Sequence, residues 1–119
     1  MPAAVDVLLI EDEPSIAEAI LFMLRRDGWH CRSWAQGVGA IQVIRELAPR
    51  LVILDLMLPG RSGAELLADL RGDASLCGQK VLLLSARGGT LPQGADAALA
   101  KPFANADLRA AVRDLLAPP

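Results

Sequence analysis

A continuous aliphatic run ends in an acid at Leu51-Val52-Ile53-Leu54-Asp55. An unbroken apolar run of this length is typical of a central strand in a parallel sheet, because helices cover such a strand on both faces. A second run of this kind occupies residues 81–84 and ends in Ser85. Together the two runs predict a buried parallel core and an α/β fold.

Short apolar stretches on either side of these runs predict two more strands, at residues 5–10 and 97–100, and the brief, alternating segment 30–34 predicts an edge strand. Apolar residues at helical spacing predict four helices between and after the strands, the first opening at Pro14 and closing at Gly28, the others at 40–48, 64–71 and 107–116. Strands that alternate with helices favour right-handed crossovers and an open parallel sheet.

The chain of 119 residues fits one domain over residues 1–119, with a core at 3–117 and a possible linker stub at 117–119. A formal charge of −2 without a Lys/Arg stripe argues against direct nucleic acid binding. No segment is long and apolar enough for a membrane span, so we expect a cytoplasmic protein. The two cysteines, Cys31 and Cys77, lack the spacing of a disulfide framework or a zinc site.

Polar residues follow four of the predicted strands where each strand ends: Glu11 and Asp12, Asp55, Ser85, and Lys101. In open parallel sheets ligands bind at the carboxyl ends of the strands, so these side chains predict a shared site. Three carboxylates at one edge repel one another unless they hold a hard cation, and Mg²⁺ prefers oxygen ligands.

An Asp carboxylate can accept a phosphoryl group when a metal and a cation neutralise the transferring oxygens. Asp55 is the candidate acceptor, Lys101 the cation, and Ser85 a hydroxyl donor to the phosphoryl group. Taken singly, each of these residues has an ordinary role as a solvated or hydrogen-bonding residue at a strand end. Their occurrence together, in this order, is the observation that predicts a phosphoryl site.

Five motifs, correctly spaced relative to the predicted strand ends, resemble the response-regulator receiver family over nearly the whole chain. They are Val-Leu-Leu-Ile-Glu-Asp-Glu-Pro (7–14), Leu-Asp-Leu-Met-Leu-Pro-Gly-Arg-Ser-Gly (54–63), Leu-Leu-Ser-Ala-Arg (83–87), Gly-Ala-Asp (94–96) and Lys-Pro-Phe (101–103). The resemblance implies a flavodoxin-like fold, a five-stranded sheet of order 2-1-3-4-5 with helices on both faces.

The resemblance also implies the role of each site residue. Asp55 is the phosphoacceptor, Ser85 the hydroxyl switch residue and Lys101 the partner of the phosphoryl group, and the Lys101-Pro102 bond is cis. The Mg²⁺ ligands implied are Asp12, Asp55, the Met57 backbone carbonyl and, through a water molecule, Glu11.

By the same resemblance the donor is a phosphohistidine on a histidine kinase or histidine phosphotransfer protein. The only histidine of the chain, His30, is then not needed for the chemistry. The domain is a signalling module that assists its own phosphotransfer and dephosphorylation rather than an enzyme. We expect a monomer or weak dimer that switches protein contacts with a downstream target the sequence does not identify.

Two features depart from the family pattern. Residues 86–93 contain two glycines and a proline where the family fits its fourth helix, so we predict that this helix is missing or reduced to a turn. Ala98 stands three residues before Lys101, where the family carries Tyr or Phe, so the usual coupling to the output face through an aromatic ring cannot operate.

Three alternatives are compared with a phosphoacceptor. A receiver-like interaction module that works without phosphate agrees with both departures but gives no reason to retain Asp55, Ser85 and Lys101. A phosphatase of the haloacid-dehalogenase class needs a second Asp where Met57 stands. A nucleotide-binding enzyme needs a Gly-rich loop after the first strand, and the Gly37-Val38-Gly39 stretch is interpreted only as the start of the second helix.

Overall fold

The computed structural model describes residues 4–86 and 91–117, which contain five strands and four helices. The elements are β1 (Val7–Ile10), α1 (Pro14–Arg26), β2 (Cys31–Trp34), α2 (Ala40–Leu47), β3 (Leu51–Asp55), α3 (Gly63–Gly72), β4 (Lys80–Ala86), β5 (Ala97–Lys101) and α4 (Asn105–Leu116).

All strands are parallel and form one sheet in the order β2-β1-β3-β4-β5. The register pairs Val7 with Leu51 between β1 and β3, and Asp55 with Leu84 between β3 and β4. The predicted flavodoxin-like topology is therefore confirmed.

The sheet separates two apolar layers, because successive strand residues point to opposite faces. Leu9 and Ile53 pack in the layer that contains α1 and α4, and Leu8 and Val52 pack in the layer that contains α2 and α3. Every residue of β1 and β3 is buried. Because burying one such aliphatic side chain contributes roughly 1.5–3 kcal/mol, these strands form the stable centre of the molecule.

Side-chain caps mark where α1 and α3 begin. The Glu13 side chain accepts a hydrogen bond from the Ser15 amide, and Pro14 takes the first helical position of α1, where no amide donor is needed. The Ser62 hydroxyl accepts from the Glu65 amide, so α3 begins at Gly63, one residue before its predicted start. The other boundaries agree or differ by at most two residues, and β2 begins at Cys31 rather than His30.

The connection between β4 and β5 is short. Its described part, residues 91–96, contains a turn and no helix, while residues 87–90 lie outside the described residues, so for them the missing helix stays a prediction. The fourth helix in chain order is present and follows β5. Ala98 and Ala100 of β5 are exposed on the face that α2 and α3 cover elsewhere.

Two other sequence-based expectations bear on the described residues. Cys31 is buried, Cys77 is exposed, and both are free thiols. Within residues 4–86 and 91–117, none of the helices is both long and apolar enough to cross a bilayer.

Candidate functional site

The carboxyl ends of β1, β3, β4 and β5 meet at one edge of the sheet and carry the predicted site residues. Glu11 directly follows β1, Asp55 is the last residue of β3, and Lys101 is the last residue of β5. Ser85 lies on β4 opposite Ala100. Because these four strands are neighbours in the sheet, the fold brings residues that lie far apart in the chain into one cluster.

Lys101 occupies the centre of this cluster. Its Nζ donates hydrogen bonds to Asp55 Oδ2 at 2.7 Å and to Glu11 Oε1 at 3.2 Å. The two acceptor side chains are almost fully buried, with 4% and 1% of their surface exposed, whereas that of Lys101 is 29% exposed. Charge-assisted bonds of this length are about twice as strong as neutral ones, so Lys101 orients both carboxylates.

Burial and mutual proximity shift the pKa values of two of these groups. Burial raises the pKa of Glu11, and its hydrogen bond with Asp55 raises it further. Burial alone would lower the pKa of Lys101, but the hydrogen bonds and negative charges of Asp55 and Glu11 outweigh burial and raise it. Lys101 is therefore a permanent cation at neutral pH.

Asp12 completes an acidic group with Glu11 and Asp55. One carboxylate oxygen from each residue lies within 4.8 Å of the other two, and Asp12 is exposed to solvent. Oxygens bound to one octahedral Mg²⁺ lie roughly 3–4 Å apart, because each metal–oxygen bond is about 2.1 Å. The spacing and the all-oxygen donor set therefore fit a bound Mg²⁺.

The backbone after β3 is folded tightly against Asp55. The Met57 amide donates to Asp55 Oδ1 at 2.9 Å, and the Gly63 amide donates to the Leu56 carbonyl at 3.1 Å. A Cβ at Gly63 would lie 2.4 Å from the Asp55 carbonyl oxygen, so only glycine permits this approach. The fold thereby places the Met57 backbone beside the Asp55 carboxylate.

The remaining predicted positions are also located. Ser85 is buried beside the cluster, one residue before β4 ends. The Lys101-Pro102 peptide bond is cis, as predicted. His30 precedes β2 at the opposite edge of the sheet, where its amide donates to Asp6 Oδ2, so it is not part of the cluster.

One contact next to the site is not predicted by the sequence. Gly37, interpreted from the sequence only as the start of α2, lies before α2 and packs against the Arg61 backbone in the loop that follows Asp55. Two glycines separated by one residue, shortly after the tryptophan that ends β2, were the available signal. Sequence alone does not show which backbone they approach.

A doubly wound parallel sheet that gathers three carboxylates and a lysine at its carboxyl edge defines a receiver-type signalling domain. The sequence model of the family described as "Response regulator receiver domain" matches residues 7–113. This chain belongs to that family, and receiver domains bind Mg²⁺ at their acidic site.

Individual relatives support the same family assignment. The DNA-binding response regulator MtrA of Mycolicibacterium smegmatis is 38% identical over 113 residues, which cover 90% of this chain and 48% of MtrA. The chain thus spans about half the length of the curated relatives it matches. The receiver domain of a signal transduction histidine kinase from Syntrophus aciditrophicus superposes with a TM-score of 0.85 at 28% identity, covering 95% of this chain and 90% of that chain.

A third relative shows the same fold with a metal. The receiver domain of the sensor histidine kinase PA1611 from Pseudomonas aeruginosa PAO1 has a magnesium ion coordinated in its active site cleft. It superposes with a TM-score of 0.85 at 24% identity, covering 96% of this chain and 98% of that chain.

Proposed function

We propose that this domain accepts a phosphoryl group on Asp55 from the phosphohistidine of a cytoplasmic histidine kinase or histidine phosphotransfer protein. The observation that carries this proposal is the contact of Lys101 Nζ with Asp55 Oδ2 at 2.7 Å, inside a group of three carboxylates. One cation among three acids leaves a local excess of negative charge. A bound divalent metal would neutralise this excess, and phosphoryl oxygens would complete the coordination of the metal.

The transfer step follows from the groups present. A carboxylate oxygen of Asp55 forms a bond to phosphorus while the bond from phosphorus to the donor imidazole nitrogen breaks, and the bonding pair remains on that nitrogen. Lys101 neutralises charge on the transferring oxygens, and the Ser85 hydroxyl donates a hydrogen bond to the phosphoryl group. The Met57 amide keeps one carboxylate oxygen of Asp55 oriented.

Mg²⁺ would be held by Asp12, Asp55 and the Met57 carbonyl, with Glu11 acting through a water molecule. When bound, Mg²⁺ neutralises charge on the phosphoryl oxygens. The oxygen-only donor set and the 4.8 Å spread of the three carboxylates support this assignment.

The phosphorylated domain switches protein contacts, as a monomer or weak dimer, and does not itself bind nucleic acid. The net charge of −2 supports the absence of nucleic acid binding, because such binding depends on neutralising phosphates with Lys and Arg. The name of MtrA describes DNA binding by a relative about twice as long as this chain. The core of the domain proposed here is residues 3–117, and the family match spans residues 7–113 of it.

Acetyl phosphate tests the proposal without a kinase. After incubation with acetyl phosphate and Mg²⁺, the intact mass should rise by one phosphoryl group in the wild type and not in Asp55→Asn. Asp114→Asn, which removes an exposed acid of α4, is the matched control and should label like the wild type. An unchanged wild-type mass under every condition would instead support the phosphate-independent interaction module.

A further inference from the structure

The loop before α2 packs against the loop that carries Met57. A Cβ on Gly37 would lie 2.1 Å from the Arg61 carbonyl oxygen, and a Cβ on Gly60 would lie 2.8 Å from Val38 Cγ2. The Gly37 amide also donates to the Pro59 carbonyl at 3.4 Å. Residues 37–39, here called the 37–39 loop, therefore touch residues 59–61, the 59–61 turn, without space for a methyl group.

Trp34 holds the 37–39 loop in place. Its indole Nε1 donates to the Val38 carbonyl at 2.9 Å, and its ring lies 3.1 Å from the position of a Cβ on Gly39. Gly39 and Gly60 have φ values of 80° and 81°, a left-handed conformation that favours glycine. The contact is therefore built from residues whose shape permits few substitutions.

The 59–61 turn lies two residues after Met57 in the chain. On the far side of the turn, Gly63 is pressed against the Asp55 backbone, and the Gly63 amide is bonded to the Leu56 carbonyl. The short segment 57–62 is thus fixed at its end by Gly63 and from outside by the 37–39 loop. Because only one residue separates Met57 from the 59–61 turn, a displacement of the turn should also shift the Met57 backbone.

We propose that Gly37 and Trp34 are positioning residues for the metal site, acting through the 59–61 turn on the Met57 backbone carbonyl. This inference rests on the proposed function, since Met57 is a ligand only if the domain binds Mg²⁺. Residues that orient metal ligands typically change metal affinity about 10- to 100-fold when they are removed.

A pair of glycine substitutions tests the proposal. Gly37→Ala forces the 59–61 turn outward, whereas Gly78→Ala adds a methyl group with nothing within 4 Å, and neither glycine has a left-handed φ. The Mg²⁺ dissociation constant, measured by titration calorimetry without phosphodonor, should rise about tenfold in Gly37→Ala and stay unchanged in Gly78→Ala.

Trp34→Phe provides a second variant if Gly37→Ala does not fold. It keeps an aromatic ring but removes the N–H donated to Val38 and the part of the indole that lies beside Gly39, so a weakening of about two- to fivefold is expected. Trp29→Phe is its control, because Trp29 packs in the other apolar layer.

The outcomes separate the two proposals. Wild-type protein that neither binds Mg²⁺ nor labels with acetyl phosphate would contradict the proposed function itself. Wild-type protein that binds Mg²⁺, with folded Gly37→Ala and Trp34→Phe variants of unchanged affinity, would overturn only the positioning role. If those variants had only a lowered melting temperature, the contact between the 37–39 loop and the 59–61 turn would contribute to stability and not to metal binding.

Discussion

The two edges of the sheet use charged residues in opposite ways. At the carboxyl edge, three carboxylates lie together and one lysine contacts two of them, Asp55 and Glu11, so negative charge is in excess. At the amino edge, charged side chains are matched to partners and to backbone carbonyls. The first arrangement costs stability and creates a place for a metal and a phosphoryl group, while the second holds the chain together.

Arg71 illustrates the amino edge. Its guanidinium donates to the carbonyls of Gly94, Cys77 and Gln79, and to Asp96 Oδ2 at 3.1 Å. Asp96 in turn accepts from the Val81 amide at 2.8 Å. One arginine therefore ties α3 to the residues before β4 and β5.

The end of α4 is secured in the same way. Lys80 Nζ donates to the Leu115 carbonyl at 2.6 Å, and the Arg50 guanidinium donates to the Leu116 carbonyl at 2.8 Å and to Asp6 Oδ1 at 3.1 Å. Cations at a helix C-terminus interact favourably with its last carbonyls. Excess charge distinguishes the candidate site from these structural contacts.

The largest effect is expected for Lys101→Ala. Removing a preorganised cation from a site of developing negative charge typically slows the reaction about 100-fold, equivalent to ~2.7 kcal/mol of activation free energy. The rate of acetyl phosphate labelling should fall by this factor while the circular dichroism spectrum stays native. Global unfolding of the variant would show that Lys101 is a structural residue instead.

Arg71→Ala should produce the opposite pattern. Its loss leaves several acceptors unpaired, and we expect the free energy of unfolding in urea to fall by about 2 kcal/mol. Labelling of the folded variant should remain at the wild-type rate. Arg113→Ala, which removes an exposed arginine of α4, is the control; an equal loss in both variants would refute the special role of Arg71.

A smaller effect is expected from Mg²⁺ on stability. At ten times its dissociation constant, a ligand that binds only the folded state adds about 1.4 kcal/mol to the free energy of unfolding. Urea denaturation with and without MgCl₂ should show this gain in the wild type and in Arg71→Ala, and not in Asp12→Asn. A gain that persists in Asp12→Asn would place the ion elsewhere.

The smallest effect concerns pH and the ion pair between Asp27 and Arg109, whose closest contact is 2.7 Å. The hydrogen bond from Arg109 lowers the pKa of Asp27 below its ordinary 3.8, and the positive charge of Arg109 adds to this. A lowered folded-state pKa stabilises the fold above pH 3.8, and this contribution is lost as pH falls through the folded-state value. The melting temperatures of wild type and Asp27→Asn should thus differ slightly at neutral pH and converge in acid.

The sequence predicted the sheet because its central strands are unbroken aliphatic runs that end in polar residues. It placed Glu11, Asp55, Ser85 and Lys101 together for the same reason, since adjacent parallel strands end at one edge. It did not predict the contact of Gly37 with Arg61. The only sequence signal of such a close backbone contact is the glycine itself, and a glycine does not show which residue it contacts.

Arg71 shows the same limit. Nothing in a single arginine near the end of a helix indicates that it reaches four acceptors around the start of β4 and β5. Helix boundaries were missed by one or two residues where a cap such as Ser62 decides the start.

The chemical identity of the phosphorylated residue tests the central claim most directly. Borohydride reduces an acyl phosphate of aspartate to homoserine, so protein treated with acetyl phosphate and Mg²⁺ can be reduced, digested and sequenced by mass spectrometry. Homoserine should be found at position 55 and at no other aspartate. A phosphorylated protein without homoserine at position 55 would contradict the assignment of Asp55 as the acceptor.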